Sequence, residues 1–197
     1  MTCYLCPALC ESRSQIVMPT HGPQNGLLCV GEAPGGDEDR VGEGFVGSAG
    51  KTLDGLLLAN SIARNQYGRA NLVRCRPQDN RKPTKSEIEA CLPKLADFIR
   101  LAAPRVIVTI GAIPTSVFLG SGSLSQKIAE SEANDGWPNL ALAHPLIRSA
   151  LELFPVRIYP SVHTSPLSWN RNAPDGTKWA EIGRRQIGRA ANSLKGV

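Results

Sequence analysis

Apolar residues fall along the chain in short blocks that alternate between two periods. Gly26 to Val30 is a continuous apolar run closing on Gly31, the pattern of a strand buried on both faces, and a Gly/Pro-rich loop follows through Gly50. Leu53, Leu56, Leu57 and Ile62 then recur at helical spacing, and Ala70 to Cys75 reads as a second strand. Thr84 with Glu87 three residues on forms a capping box, opening a helix whose Ile88, Cys91, Leu92, Leu95 and Ile99 share one face. Ala103-Pro104 ends that helix. Arg105 to Gly111 is the clearest buried strand, and a short helical run reaches Leu119. From Gly120 to about Ala150 the pattern is poorest, a long excursion with one helix near Leu146 to Leu153. Val156 to Val162 is a fourth strand, and Lys178 to Leu194 a last helix with Trp179, Ile182 and Ile187 on one side.

Strands alternating with helices imply a three-layer α/β/α fold around a central, mostly parallel four-stranded sheet. With no internal repeat and no linker, residues 1–197 are expected to form a single domain. In such sheets ligands bind beyond the carboxyl ends of the strands. Four loops leave those ends: Gly31 to Gly50, Cys75 onward, Gly111 onward, and His163 to Asn170.

Composition adds bounds. The 197 residues are 42% apolar and 20% charged, and no stretch approaches the roughly 18 uninterrupted apolar residues of a membrane span. The opening Met1-Thr2-Cys3-Tyr4-Leu5-Cys6 lacks the features of a secretory signal, so a cytoplasmic location with reduced cysteines is expected. Lys and Arg number 22 against 17 Asp and Glu, a net +5 that permits a polyanionic partner without requiring one.

The six cysteines carry the first candidate chemistry. Cys3 and Cys6 form a C-x2-C pair, and Cys75 and Cys91 come from two further places, Cys91 on the capped helix. Four thiolates from separate segments can make a tetrahedral cage, for a structural zinc ion or for an iron-sulfur cluster, and spacing leaves both open. Cys29, inside an apolar strand, reads as a core residue. Cys10 reads as a spectator, with replacement of Cys6 as a ligand the alternative.

The stretch Gly31-Glu32-Ala33-Pro34-Gly35-Gly36-Asp37-Glu38-Asp39 has neither GxGxxG nor GxxxxGK spacing, so it is not a nucleotide cradle. On residue chemistry alone it is an acidic surface turn whose glycines would let backbone amides approach a ligand.

Taken in order, GEAPGGDED, GEGFVGSAGKTL, NLVRCRPQDNRKPT with Cys91 after it, and APRVIVTIGAIPTSVFLG resemble the family 4 uracil-DNA glycosylases over most of the chain. The combined order of C-x2-C, GE-x-PG, FVG-x-AG, N-x3-C-R-P and a later His is far more specific than any one element. The resemblance fades between about Gly120 and Pro155. It implies a monofunctional enzyme that hydrolyses the N-glycosidic bond of deoxyuridine in DNA, single- or double-stranded. It further implies a 4Fe-4S cluster on Cys3, Cys6, Cys75 and Cys91, and a monomer that engages no membrane.

It also implies roles. Such enzymes extrude the target nucleotide into a fitted pocket. Phe45 would stack on uracil, its plainer reading being core packing. Asn71 would read the base edge, an amide offering one donor and one acceptor. His163 would donate to negative charge developing on uracil O2, assisted by backbone amides around Ala33. Glu32 would serve the attacking water or the sugar cation, and Glu38 would lie near the uracil C5 edge. Arg76, Arg81 and Lys82, with Arg74 and Lys85 nearby, would contact phosphates. Ser165 belongs to the DNA-facing loop, and Leu167 would fill the gap left by the flipped nucleotide.

Some positions depart from the pattern. The family mostly reads His-Pro where this chain has His163-Thr164, followed by Ser165-Pro166-Leu167-Ser168, and Gly44 stands where Pro is usual. His144-Pro145 is a second match to the His-Pro motif, but the strand FPVRIYPSV leads into His163, which is therefore the expected histidine. The basic insertion of a branch that traps itself covalently on the abasic product is not seen. The alternatives are the same fold acting on another modified pyrimidine, or a non-catalytic uracil- or DNA-binding protein.

Overall fold

The structure is a computed structural model that describes residues 3–195; residues 1–2 and 196–197, the two ends of the expected domain, lie outside the described residues. Four strands, β1 (Leu27–Gly31), β2 (Tyr67–Asn71), β3 (Val106–Ile110) and β4 (Arg157–Ser161), form one sheet in the order β2-β1-β3-β4 with every pairing parallel. Around it run α1 (Pro7–Ser12), α2 (Gly36–Val41), α3 (Ser48–Leu58), α4 (Lys85–Ala102), α5 (Ala112–Leu119), α6 (Leu124–Ala133), α7 (Pro145–Leu151), α8 (Pro166–Trp169) and α9 (Trp179–Lys195).

Strand alternation splits the core in two. Leu28, Val30, Ile107 and Ile158 face Leu92, Leu95, Ile99, Phe118, Ile147 and Leu151 on one side. Leu27, Cys29, Val108 and Ile110 face Leu53, Leu57, Ile187 and Ala190 on the other. Both faces of β1 and β3 are therefore covered, which is why those strands read as unbroken apolar runs. Pro160 is tolerated because β4 is an edge strand. Cys29 is fully buried, as its place in an apolar strand predicts.

Three boundaries differ from the sequence reading. The second strand is Tyr67–Asn71, not Ala70 to Cys75, so Asn71 closes the strand and Cys75 lies in the loop beyond it. Leu72 and Val73 are buried without belonging to the sheet. The Gly/Pro-rich loop contains the short α2, which has no apolar face to announce it. The segment from Gly120 to Ala150 holds α6 as well as α7; Ser123 caps α6 and Gln126 completes a capping box, a signal present in the sequence. The capping box at Thr84 is formed as expected, with the Glu87 N–H donating to Thr84 Oγ1 and the Thr84 N–H to the Glu87 carboxylate.

Candidate active site at the carboxyl end of the sheet

A cavity of about 690 Å³ opens beyond the carboxyl ends of the strands. Glu32, Ala33, Glu38 and Phe45 of the Gly31 to Gly50 segment, Asn71 at the end of β2 and His163 after β4 all line it. Pro77, Asn80, Arg81, Lys82 and Ser165 also line it.

Its floor depends on a missing side chain. A Cβ on Gly31 would lie 2.4 Å from Asn71 Oδ1 and 2.8 Å from Phe45 Cζ, so only glycine lets the amide and the ring close over this spot. Phe45 itself is held in the left-handed region at φ +60°, a costly conformation for a bulky residue. Two contacts impose it. A Cβ on Gly50 would lie 1.9 Å from the Phe45 carbonyl oxygen, so the start of α3 packs directly on this backbone. The Arg64 guanidinium donates to the carbonyls of Phe45 at 2.9 Å and Gly44 at 3.0 Å, and is itself paired with Asp54 and Glu43 at 2.8 Å each. Tyr67 donates its hydroxyl to the same Asp54.

Glu38 ties two glycine loops together. One carboxylate oxygen accepts the Gly35 N–H at 3.0 Å, and the other accepts the Gly47 N–H at 2.8 Å. The position expected to meet the base edge is thus also a brace. Glu32, by contrast, has no side-chain hydrogen-bond partner among the described residues. Burial raises its carboxyl above the usual range, and nearby Lys82 opposes that shift.

His163 follows β4, and burial lowers its imidazole below the usual histidine value against the pull of Glu38. Its Nδ1 accepts the Ser165 N–H at 3.2 Å, so in the neutral ring the proton sits on Nε2. Thr164, where the resemblance expects Pro, donates its hydroxyl to the Ala49 carbonyl at 2.8 Å and pins this loop to α3. His144 caps α7 through Nδ1 and pairs with Glu89 through Nε2 at 2.9 Å, outside the cavity lining.

The basic residues divide. Lys82 is exposed at the cavity mouth, while Arg81 is forked onto Glu87 at 2.6 and 2.9 Å. Arg76 lies against Gly36 and donates to Asn80, outside the cavity lining. Arg74 faces the cysteines and donates to the Lys94 carbonyl. Leu167, on α8, is 79% exposed.

Cys3, Cys6, Cys75 and Cys91 line one separate apolar pocket with Leu5, Leu9 and Ile16. Among the described residues no group of three or more His, Cys, Asp or Glu is drawn together to hold a metal ion. The donor set is nevertheless consistent in its chemistry: burial first, then the neighbouring thiols, pushes Cys6 up to about 11. Four thiolates meeting in an apolar pocket repel one another unless a cationic centre sits among them. Arg13 donates to Cys75 Sγ at 2.9 Å and to the Cys3 carbonyl at 2.7 Å. Cys10 is outside the pocket lining and turns its thiol to the Cys3 carbonyl.

Arg13 and Arg64 were not marked by the sequence, and Thr164 was marked only as a departure from the family's His-Pro. Each acts through a partner far along the chain, and no local pattern announces such a contact. Among the described residues no helix is long and apolar enough to cross a membrane.

Residues 19–183 match the family model described as the uracil DNA glycosylase superfamily. The chain is 38% identical over 117 residues to a type-4 uracil-DNA glycosylase of Pyrobaculum aerophilum, covering 59% of each protein. It is 38% identical over 123 residues to the type-4 enzyme of Thermotoga maritima, covering 62% of this chain and 64% of that one. It is 39% identical over 112 residues to that of Sulfurisphaera tokodaii, covering 56% and 50%. The chain thus spans between half and two thirds of the length of these curated relatives.

Proposed function

The chain belongs to the uracil DNA glycosylase superfamily, and from that premise we propose that it works as a single-domain, type-4-like enzyme that hydrolyses the N-glycosidic bond of deoxyuridine in DNA. The observation that carries this reading is the convergence of Asn71 and Phe45 over Gly31 in a cavity also lined by Glu32 and His163. A ring and an amide meeting at the floor suit a flat base with a donor and an acceptor on its edge.

In the reaction the N1–C1′ bond breaks with its electron pair going to uracil. The sugar carbon, left cationic, takes the oxygen of water, whose proton passes to solvent, and the uracil anion takes up a proton from solvent as it leaves. The neutral His163, donating from Nε2, stabilises the uracil anion at O2. The Glu32 carboxylate stabilises the sugar cation or orients the water. Phe45 and Asn71 hold the base, and Glu38 keeps the Gly35 and Gly47 loops closed around it.

Residues 120–155 contribute nothing to the cavity lining, so base choice rests on the residues just named.

Cys3, Cys6, Cys75 and Cys91 would hold a 4Fe-4S cluster, a reading supported by the four cysteines lining one apolar pocket. When bound, such a group would cross-link the N-terminal segment, the loop after β2 and α4. Lys82, Ser165 and Leu167 would face DNA, with Arg76 and Arg81 setting the rim, in a cytoplasmic monomer.

The test is base release from single-stranded and duplex oligonucleotides carrying one deoxyuridine, with the protein's visible spectrum recorded beforehand. Alkali-labile cleavage at uracil, lost in His163→Ala, is expected. A folded, brown protein that leaves uracil intact would overturn the substrate assignment and leave the cluster standing.

A further inference from the structure

On the far side of His163 a second groove of about 500 Å³ adjoins the first cavity, the two sharing Gly111, Ala112, His163 and Ser168 as a common wall. Its size is within the range of about 300–1,000 Å³ that small-molecule sites span. The loop between α8 and α9 and the first residue of α9 supply its outer side: Arg171, Asn172 and Trp179. Trp179 is half-buried against Ile128, Ala173 and Ile182, and its backbone N–H donates to the Arg171 carbonyl at 3.0 Å, which ties the start of α9 to the loop that carries Arg171. Arg171 and Asn172 are exposed, and among the described residues neither side chain has a hydrogen-bond or ion-pair partner. The acid of this loop, Asp175, is turned onto the Thr177 N–H at 2.9 Å, outside the groove lining.

We propose that this groove holds the nucleotide adjacent to the flipped one, its base stacked on Trp179 and its phosphate met by Arg171. The inference rests on the glycosylase reading. Once a nucleotide occupies the first cavity, its sugar and phosphate lie at the mouth, and the next nucleotide is covalently obliged to leave along an adjoining surface. A groove that adjoins the cavity along the shared wall is such a surface. An aromatic face beside an unpaired guanidinium is the chemistry of single-strand recognition, in which stacking accepts any base and the cation takes the backbone. The enzyme would therefore grip two nucleotides of one strand, and the neighbour of uracil would be drawn out of its stack with it.

The test uses short single-stranded oligonucleotides with one deoxyuridine and a baseless tetrahydrofuran residue in place of the 5′ or the 3′ neighbour. Uracil release gives KM. Anisotropy on 2′-fluoro-deoxyuridine versions, whose sugar resists becoming cationic, gives Kd. For the wild-type protein, removing the base on one side is expected to raise both by about tenfold, the loss of one base–aromatic stack. Trp179→Leu should raise them similarly on the intact strand and erase the flank effect, whereas Trp179→Phe should retain it. Arg171→Gln, on an exposed loop, should weaken binding of every strand and flatten its salt dependence, giving a second readout should Trp179→Leu melt early. Release that ignores both flanks, or a flank effect undiminished in a folded Trp179→Leu protein, overturns the groove while the glycosylase stands. Flank-dependent binding without release overturns the glycosylase reading and supports the groove.

Discussion

The Ser165 N–H points at Nδ1 of His163 from 3.2 Å, and that contact decides which nitrogen of the imidazole can donate. A proton on Nδ1 would face another N–H, so the bond holds only in the neutral ring with its proton on Nε2. Burial acts in the same direction, lowering His163 below 6.5, while it raises Glu32 above 4.5. Both groups must be unprotonated for the proposed roles, and the two shifts bring their titrations toward each other. For His163 the folded state holds its proton less tightly than the unfolded chain, so stability from the buried neutral ring is present above 6.5 and is lost as pH falls. The kcat/KM profile should show an acid limb to which both groups contribute, Glu32 titrating above 4.5 and His163 below 6.5, and Glu32→Gln should remove one of the two protons. A limb still centred above 6.5 in Glu32→Gln would contradict the neutral imidazole.

Gly31 is the floor on which the base would lie. In Gly31→Ala the added carbon would sit 2.4 Å from Asn71 Oδ1 and 2.8 Å from Phe45 Cζ, and both side chains would have to retreat. The obstruction comes from side chains alone, so the fold should survive. Since displacement of about 1 Å at a reacting centre can cost on the order of 10²-fold in rate, uracil release should fall by that amount with little change in Tm. A variant of full activity would show that the ring and amide do not hold the base.

Arg64 keeps Phe45 in its strained turn. Removing it in Arg64→Ala strips the donors from the Phe45 and Gly44 carbonyls and leaves Asp54 and Glu43 without their cation. Loss of such a partner costs about 1–3 kcal/mol. Arg64→Lys should restore much of the Tm but little of the uracil release, because a single ammonium cannot serve two carbonyls and two carboxylates in one plane. If Lys restores release in full, the forked geometry is irrelevant to the stack.

Sequence alone made β1 and β3 legible because they are apolar on both faces, and made α4 legible because Thr84 and Glu87 cap it. It misplaced β2 because Gly68 and Arg69 look like a break. Arg69 is buried in that strand only because its guanidinium reaches the Arg64 carbonyl and Glu43. It passed over α2, whose Asp39 is fixed by the backbone N–H groups of Ser14 and Gln15, a tertiary contact. Phe45, Asn71 and His163 stood out as elements of an ordered motif, and the structure brings them to one cavity. The side chains that hold them, Arg64 and Thr164, carry no local signal, because each bonds a backbone carbonyl of a distant segment.

The cysteine pocket makes its own prediction. If Cys91 supplies a ligand, Cys91→Ala should lose the visible absorbance of the cluster and lower Tm, and Cys10→Ala should change neither, since its thiol is outside the pocket lining and faces the Cys3 carbonyl. Iron and sulfide analysis of both proteins reads this directly. Loss of absorbance in Cys10→Ala with retention in Cys6→Ala would exchange the assignments of Cys10 and Cys6.

Glu38 separates bracing from base contact. Its two oxygens each accept a backbone N–H, from Gly35 and from Gly47, and the side chain is 9% exposed. Glu38→Gln preserves the shape but places an NH₂ against one of those donors, leaving a buried N–H unpaired at a cost of about 1–3 kcal/mol. Glu38→Gln should therefore lower stability even with no DNA present, and loosen the Gly35 and Gly47 loops together, visible as faster amide exchange in both. Since the same loops frame the cavity holding Phe45 and Asn71, KM for a deoxyuridine oligonucleotide should rise as well. An unchanged Tm with a raised KM would instead mean that the carboxylate meets only the base, and the brace would be wrong.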